Sequence, residues 1–119
     1  MKIRQIAYWI ATALVAFVFL SGGASELARP APLMQGMARL GYPAYFVTIL
    51  GVWKMLGGIA VLIPRFPRLK EWAYAGMFFD LSGAAVSHAV CGEQTKIAAP
   101  LIILCIVIAS WALRPPSRR

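Results

Sequence analysis

Four ionisable residues stand in or at the ends of apolar stretches: Glu26, Lys54 within "GVWKMLGG" (51–58), Asp80 and His88. A lone charge near the centre of a membrane-spanning helix costs about 2.5–3.5 kcal/mol to insert, so each is expected to have a partner. Lys54 lies ten residues before Pro64, and Asp80 ten residues after Lys70. Folding the two segments back on "PRFPRLK" (64–70) puts both charges at one depth and makes them natural ion-pair partners. Glu26 and His88 lie roughly 20 and 17 residues from the starts of their segments, a difference of only ~5 Å along a helix. They could meet, and a carboxylate that orients an imidazole suits proton exchange near neutral pH. Ser25 and Ser87 stand where they could add hydrogen bonds.

Each pair has two open readings. Lys54 and Asp80 either lock a helical hairpin or also touch a ligand or relay a proton. Glu26 and His88 either face water at a membrane surface or form the polar mouth of a pocket. In the second case Trp53, Met55 and Phe79 are candidates for its apolar wall. A metal centre is not expected, because His88, Cys91 and Glu93 contain the chain's one histidine and make a weak ligand set. There is no nucleotide-binding glycine loop, haem attachment motif or CxxC pair.

These residues need a scaffold, and composition names its class. The 119 residues are 61% hydrophobic and 13% charged, with a mean hydropathy of +0.72, far more apolar than a soluble domain. Four apolar runs are legible: Ile6 to Ser25, Tyr45 to Ile63 (stopped by Pro64), Glu71 to Val90, and Ile97 to Leu113 (ended by Arg114 and Pro115). At 1.5 Å per residue each is long enough for a hydrocarbon core roughly 30 Å thick. The runs lack period-two alternation, which argues against strands. The expectation is an all-α integral membrane four-helix bundle forming a single transmembrane domain over residues 1–119.

Between spans one and two, Leu33, Met34, Met37 and Leu40 recur at helical spacing after Pro30 and Pro32, with Gly41 as a stop. This predicts a short interfacial amphipathic helix, either a connector resting on lipid or a lid over the pocket. Helix faces carry small residues around both central charges: Val47, Gly51, Lys54, Gly58 and Val61 in span two, and Ala73, Gly76, Asp80, Gly83 and Ser87 in span three. Such faces, like Gly22–Gly23 and Gly57–Gly58, let helices approach closely.

Lys2, Arg4, Arg65, Arg68, Lys70, Arg114, Arg118 and Arg119 fall on one side of the four-span scheme, and Arg29, Arg39 and Lys96 on the other. The positive-inside rule then makes both termini cytoplasmic, in a multi-pass protein of the cell inner membrane. The net charge of +8 serves topology and contact with anionic lipid, and no basic patch with interleaved aromatics points to nucleic acid. An alternative is that "MKIRQ" and the run to Ala24 form a cleaved signal, leaving three spans. Cys91 and Cys105 differ in depth and are read as packing residues, not a disulfide.

The chain resembles the DoxX-like family of small bacterial membrane proteins through "ELARP" (26–30), "LGYP" (40–43), "KMLG" (54–57), "PRLKEWAYAG" (67–76) and "GAAVSHA" (83–89). The resemblance covers nearly the whole chain, and in it Glu26, Lys54 and His88 look like the characteristic polar positions. It implies one site. The family is linked by name to a subunit of a thiosulfate:quinone oxidoreductase, and other relatives to oxidative-stress complexes or receptor assembly. The implied ligand is therefore quinone-like or another small apolar compound in an oxidoreductase-accessory subunit; with Asp80 added as the hairpin partner of Lys54, the candidate ligand-binding residues are Glu26, Lys54, Asp80 and His88. The alternative is a structural or assembly subunit that works with a membrane protein partner or as a homo-oligomer. Without a CxxC dithiol, direct thiol–disulfide chemistry is not expected.

Overall fold

The computed structural model describes residues 2–63 and 66–116; Pro64, read above as a stop, and Arg65, Arg118 and Arg119 of the charge count lie outside them. The described chain is helical, with α1 Ile3–Ala28, α2 Ala31–Arg39, α3 Ala44–Leu62, α4 Pro67–Val90 and α5 Ala98–Ala112, plus a single 3-10 turn at Gln94–Lys96. No strand occurs among the described residues.

Local chemistry sets the breaks. Arg29 takes a left-handed conformation (φ 53°) and donates its N–H to the Ser25 carbonyl, and Pro30 follows at once as the N-cap of α2, with Pro32 in its first turn. Gly41 (φ 89°) turns the chain between α2 and α3, which opens after Pro43. At the far end of α3, Lys70 is fully buried and its Nζ donates to the Ile63 carbonyl, so a cation caps the helix terminus and closes the α3–α4 hairpin.

Helix α1 packs on α3 and α5, and α4 packs on the same two, so the four long helices neighbour one another in a closed ring with α2 set against α3. Neighbours run antiparallel. Gly23 faces Gly51 and Met55 while Leu20 and Ala16 face Gly58; Arg4 near the start of α1 donates to the Ala112 carbonyl at the end of α5 (3.1 Å). The core is built from Val15, Ala16 and Phe19 of α1, Val61 of α3, Tyr74, Met77 and Leu81 of α4, and Val107 of α5. Inside it Ser110 joins three helices, 2.6 Å from the Thr12 hydroxyl and 2.7 Å from that of Tyr74. Large apolar side chains such as Phe17, Trp53, Trp72, Phe79, Val86 and Ile102 face outward, the pattern of helices solvated by lipid.

Among the described residues three segments are long and apolar enough to cross a membrane: Ile3–Ala28, Ala44–Leu62 and Gln94–Ala112. The expected third span differs. Helix α4 has 24 residues, but Lys70, Glu71, Asp80, Ser82, Ser87 and His88 make it too polar to count with the others. Much of that polarity is satisfied by neighbours: Lys70 by Ile63, Glu71 by Trp111 (3.2 Å) and Arg114, and Ser87 by Tyr42 (2.5 Å). The expected amphipathic segment is α2, with Leu33, Met34, Met37 and Leu40 half-buried and Gln35 and Arg39 exposed.

Candidate functional site

The position of Lys54 follows from the glycines around it. Gly51 and Gly58, three residues before and four after, share its face and lie against α1, where a β-carbon on Gly51 would stand 3.0 Å from the Gly23 carbonyl and one on Gly58 2.8 Å from Leu20. Close approach here turns Lys54 toward α1. Its ammonium lies 2.6 Å from Oε1 of Glu26 and 3.9 Å from Oδ2 of Asp80. The sequence expectation of a Lys54–Asp80 pair is thus met only at the edge of ion-pair range, and the strong partner is Glu26 on the other neighbouring helix.

The small residues of α4 act oppositely to expectation. A β-carbon on Gly76 or Gly83 would meet nothing within 4 Å, so these positions leave space beside Asp80 instead of drawing α3 and α4 together. Of the glycine pairs read as packing residues, Gly23 and Gly58 are tightly enclosed, whereas Gly22 and Gly57 have looser neighbours.

The expected meeting of Glu26 with His88 is not found. Glu26 is spent on Lys54, and His88 Nδ1 lies 3.3 Å from Oε1 of Glu93, whose Oε2 accepts from Lys96 at 2.9 Å. Equal depth did not suffice, because the contact between Gly51 and α1 sets Glu26 toward α3 while the turn at Gly92 (φ 74°) brings Glu93 back under His88. Hydrogen bonding from Lys96 and then His88 holds the Glu93 carboxyl below the usual glutamate range. Among the described residues no group of three His, Cys, Asp or Glu side chains is placed to share a metal ion, and the Cys91 thiol instead faces the Arg39 carbonyl at 3.9 Å.

All four residues nevertheless line one cavity of about 460 Å³, together with Met37 of α2, Leu40 just after it, Trp53 and Phe79. Met55, expected in that wall, packs on Gly23 instead. A second, almost wholly apolar groove of about 270 Å³ continues along the α3–α4 seam past Leu56, Trp72 and Met77. The two spaces share Leu50, Trp53, Lys54, Gly76 and Asp80. Above the chamber the Tyr42 and Ser87 hydroxyls, 2.5 Å apart, tie the turn after α2 to α4. Tyr42 and Trp72 were not singled out from sequence. The only signal for Tyr42 was its place beside Gly41 and Pro43, and for Trp72 its place one helical turn before Gly76.

The model of the DoxX-like family matches residues 10–110, a stretch that contains every residue of this cavity. No curated protein and no solved structure matches the chain. With three apolar helices of membrane-spanning length and a family match over most of its residues, the chain belongs to the DoxX-like family and is a small membrane protein in contact with the lipid bilayer.

Proposed function

We propose that the chain is a single-domain four-helix membrane bundle that binds a small apolar or quinone-like molecule in the chamber beneath α2. It would act beside an oxidoreductase as a ligand-binding accessory subunit. One observation carries this reading: Glu26, Lys54, Asp80 and His88, drawn from three different helices, converge on one cavity whose remaining lining is mostly apolar. Concave sites with an apolar wall and a few convergent polar groups are the usual form of small-ligand pockets, and ionisable residues within membrane helices are functional by default. In this reading α1, α3, α4 and α5 cross the cell inner membrane, both termini are cytoplasmic, and α2 lies on the opposite face as a lid. The described basic residues support that orientation, since Lys2, Arg4, Arg68, Lys70 and Arg114 sit at the end opposite Arg29, Arg39 and Lys96.

Native mass spectrometry from nanodiscs tests it. A small-molecule adduct on the wild type, weakened in Glu26→Gln or His88→Ala, is the expected result. A second reading, an assembly subunit, is favoured by the apolar groove of about 380 Å³ between α4 and α5, lined by Phe78, Val107, Ile108 and Trp111, which suits a partner helix. A stable partner or homo-oligomer with no adduct in any sample would replace the first reading by the second.

A further inference from the structure

The charges at the waist between the two cavities do not balance. Two carboxylates, Glu26 and Asp80, share the single ammonium of Lys54, and the short contact goes to Glu26. Asp80 keeps only the 3.9 Å ion pair and accepts no hydrogen bond among the described residues, while its side chain remains 21% exposed to the cavities it lines. Glu26 is not saturated either: its side chain is 9% exposed, and Oε2 is buried with no hydrogen-bond partner. Two carboxyl groups against one ammonium, set in apolar surroundings, leave acceptor oxygens that suit a ligand bringing its own N–H donors.

The walls point the same way. Trp53 and Phe79 line the chamber beside Asp80, and Trp53 and Trp72 line the groove. Aromatic faces attract ammonium groups, and an apolar groove accepts the hydrocarbon that carries one. Gly76, one turn before Asp80, borders both spaces, and a β-carbon there would meet nothing within 4 Å. A divalent metal ion is a poor occupant, because the Lys54 ammonium already lies between the two carboxylates and few oxygen ligands remain.

From this geometry we propose that the site takes a protonated amine on an apolar or aromatic body, with Asp80 as its counter-ion and the body lying along the α3–α4 seam. The proposal rests on the ligand-binding reading and narrows its ligand from apolar compounds in general to cationic amphiphiles. The tail reaches the seam from the bilayer, since Trp53, Leu56, Trp72 and Phe79 face outward there.

The test is tryptophan-fluorescence titration of the full chain in phosphatidylcholine nanodiscs. The probes are 4-phenylbutylamine, the isosteric 4-phenylbutanol and a short-chain benzoquinone. The amine should bind about tenfold or more tightly than the alcohol, the size expected of a charge-assisted hydrogen bond. Asp80→Asn should bring the amine's affinity down to that of the alcohol, and Gly76→Phe, which fills space where the two cavities share their lining, should weaken all probes. If the alcohol or the quinone binds as tightly as the amine, or if the preference survives Asp80→Asn, the amine assignment is overturned and the pocket stands. Absence of binding by all three probes overturns both.

Discussion

The carbonyl oxygen of Gly23 lies 3.0 Å from where a β-carbon on Gly51 would stand, so α1 and α3 meet backbone to backbone. A β-carbon on Gly23 would in turn stand 2.8 Å from the Gly51 carbonyl and 2.9 Å from Met55 Cγ. Gly23→Ala therefore has to push the helices apart, and overpacking of this kind costs about 1–3 kcal/mol. Gly76→Ala meets open space and should be neutral or gain up to about 1 kcal/mol in helix propensity. Thermal unfolding in mild detergent checks both; equal melting temperatures for Gly23→Ala and wild type would refute the close crossing.

The same crossing makes Glu26 and Lys54 a partly buried pair, and removing one member should cost more than removing both. Lys54→Met leaves two carboxylates uncompensated, with an expected loss of about 3 kcal/mol. Combining it with Glu26→Gln should recover a substantial part of that loss. A double-mutant cycle in which the two losses simply add would mean that the 2.6 Å contact contributes no coupling.

What could be read from the sequence divides along physical lines. The helices, three of the four expected spans and the amphipathic α2 were legible because apolar run length, proline and glycine positions and helical spacing are local, whereas the polar residues of α4 set it apart from the other three. That Glu26, Lys54 and His88 belong together was implied by the family resemblance and not by depth, since counting from the turns set Glu26 at a different level from Lys54, which it touches at 2.6 Å in the cavity they line. Their pairing was not legible, since it depends on which face of α3 meets which neighbour. Gly51 and Gly58 were seen to share the face of Lys54, but nothing local says that this face belongs to α1 and not to α4. The Thr12–Ser110–Tyr74 cluster was missed for a related reason: isolated hydroxyls in apolar runs carry no charge to demand a partner.

That cluster should matter for stability. Ser110 is fully buried and bonds the hydroxyls of Thr12 and Tyr74, so Ser110→Ala removes two buried interhelical hydrogen bonds, although Tyr74 keeps Thr12 and Tyr8 as partners. Buried unpaired donors cost about 1–3 kcal/mol in water-soluble proteins, and interhelical bonds in membranes average nearer 0.6, so an intermediate loss of about 1–2 kcal/mol is expected. Ser110→Thr, which keeps the hydroxyl, should lose less of the bonding. Equilibrium unfolding in mixed micelles distinguishes the two variants.

Acid should act through Glu93. Its carboxyl is held below the usual glutamate range by hydrogen bonds from Lys96 and from His88. A group whose folded value is depressed contributes stability above its unfolded value and loses that contribution as pH falls through the folded one. The melting temperature of wild type should therefore exceed that of Glu93→Gln near neutrality, and the gap should close below about pH 4. A gap that persists unchanged into strong acid would show that the ion pairs at the end of α4 do not support the fold.

Topology can be read from the two cysteines, which are both free and exposed yet sit in different surroundings. Cys91 follows α4 at the end of the molecule that carries α2, and Cys105 lies midway along α5. A thiol in hydrocarbon cannot ionise and stays inert, whereas one at the membrane surface reacts as thiolate. With α2 on the outer face, a membrane-impermeant maleimide added to intact spheroplasts should label Cys91 and spare Cys105. Both should label after denaturation in dodecyl sulfate. Labelling of Cys91 only in inverted vesicles would reverse the orientation, placing the α2 lid and the chamber beneath it on the cytoplasmic side.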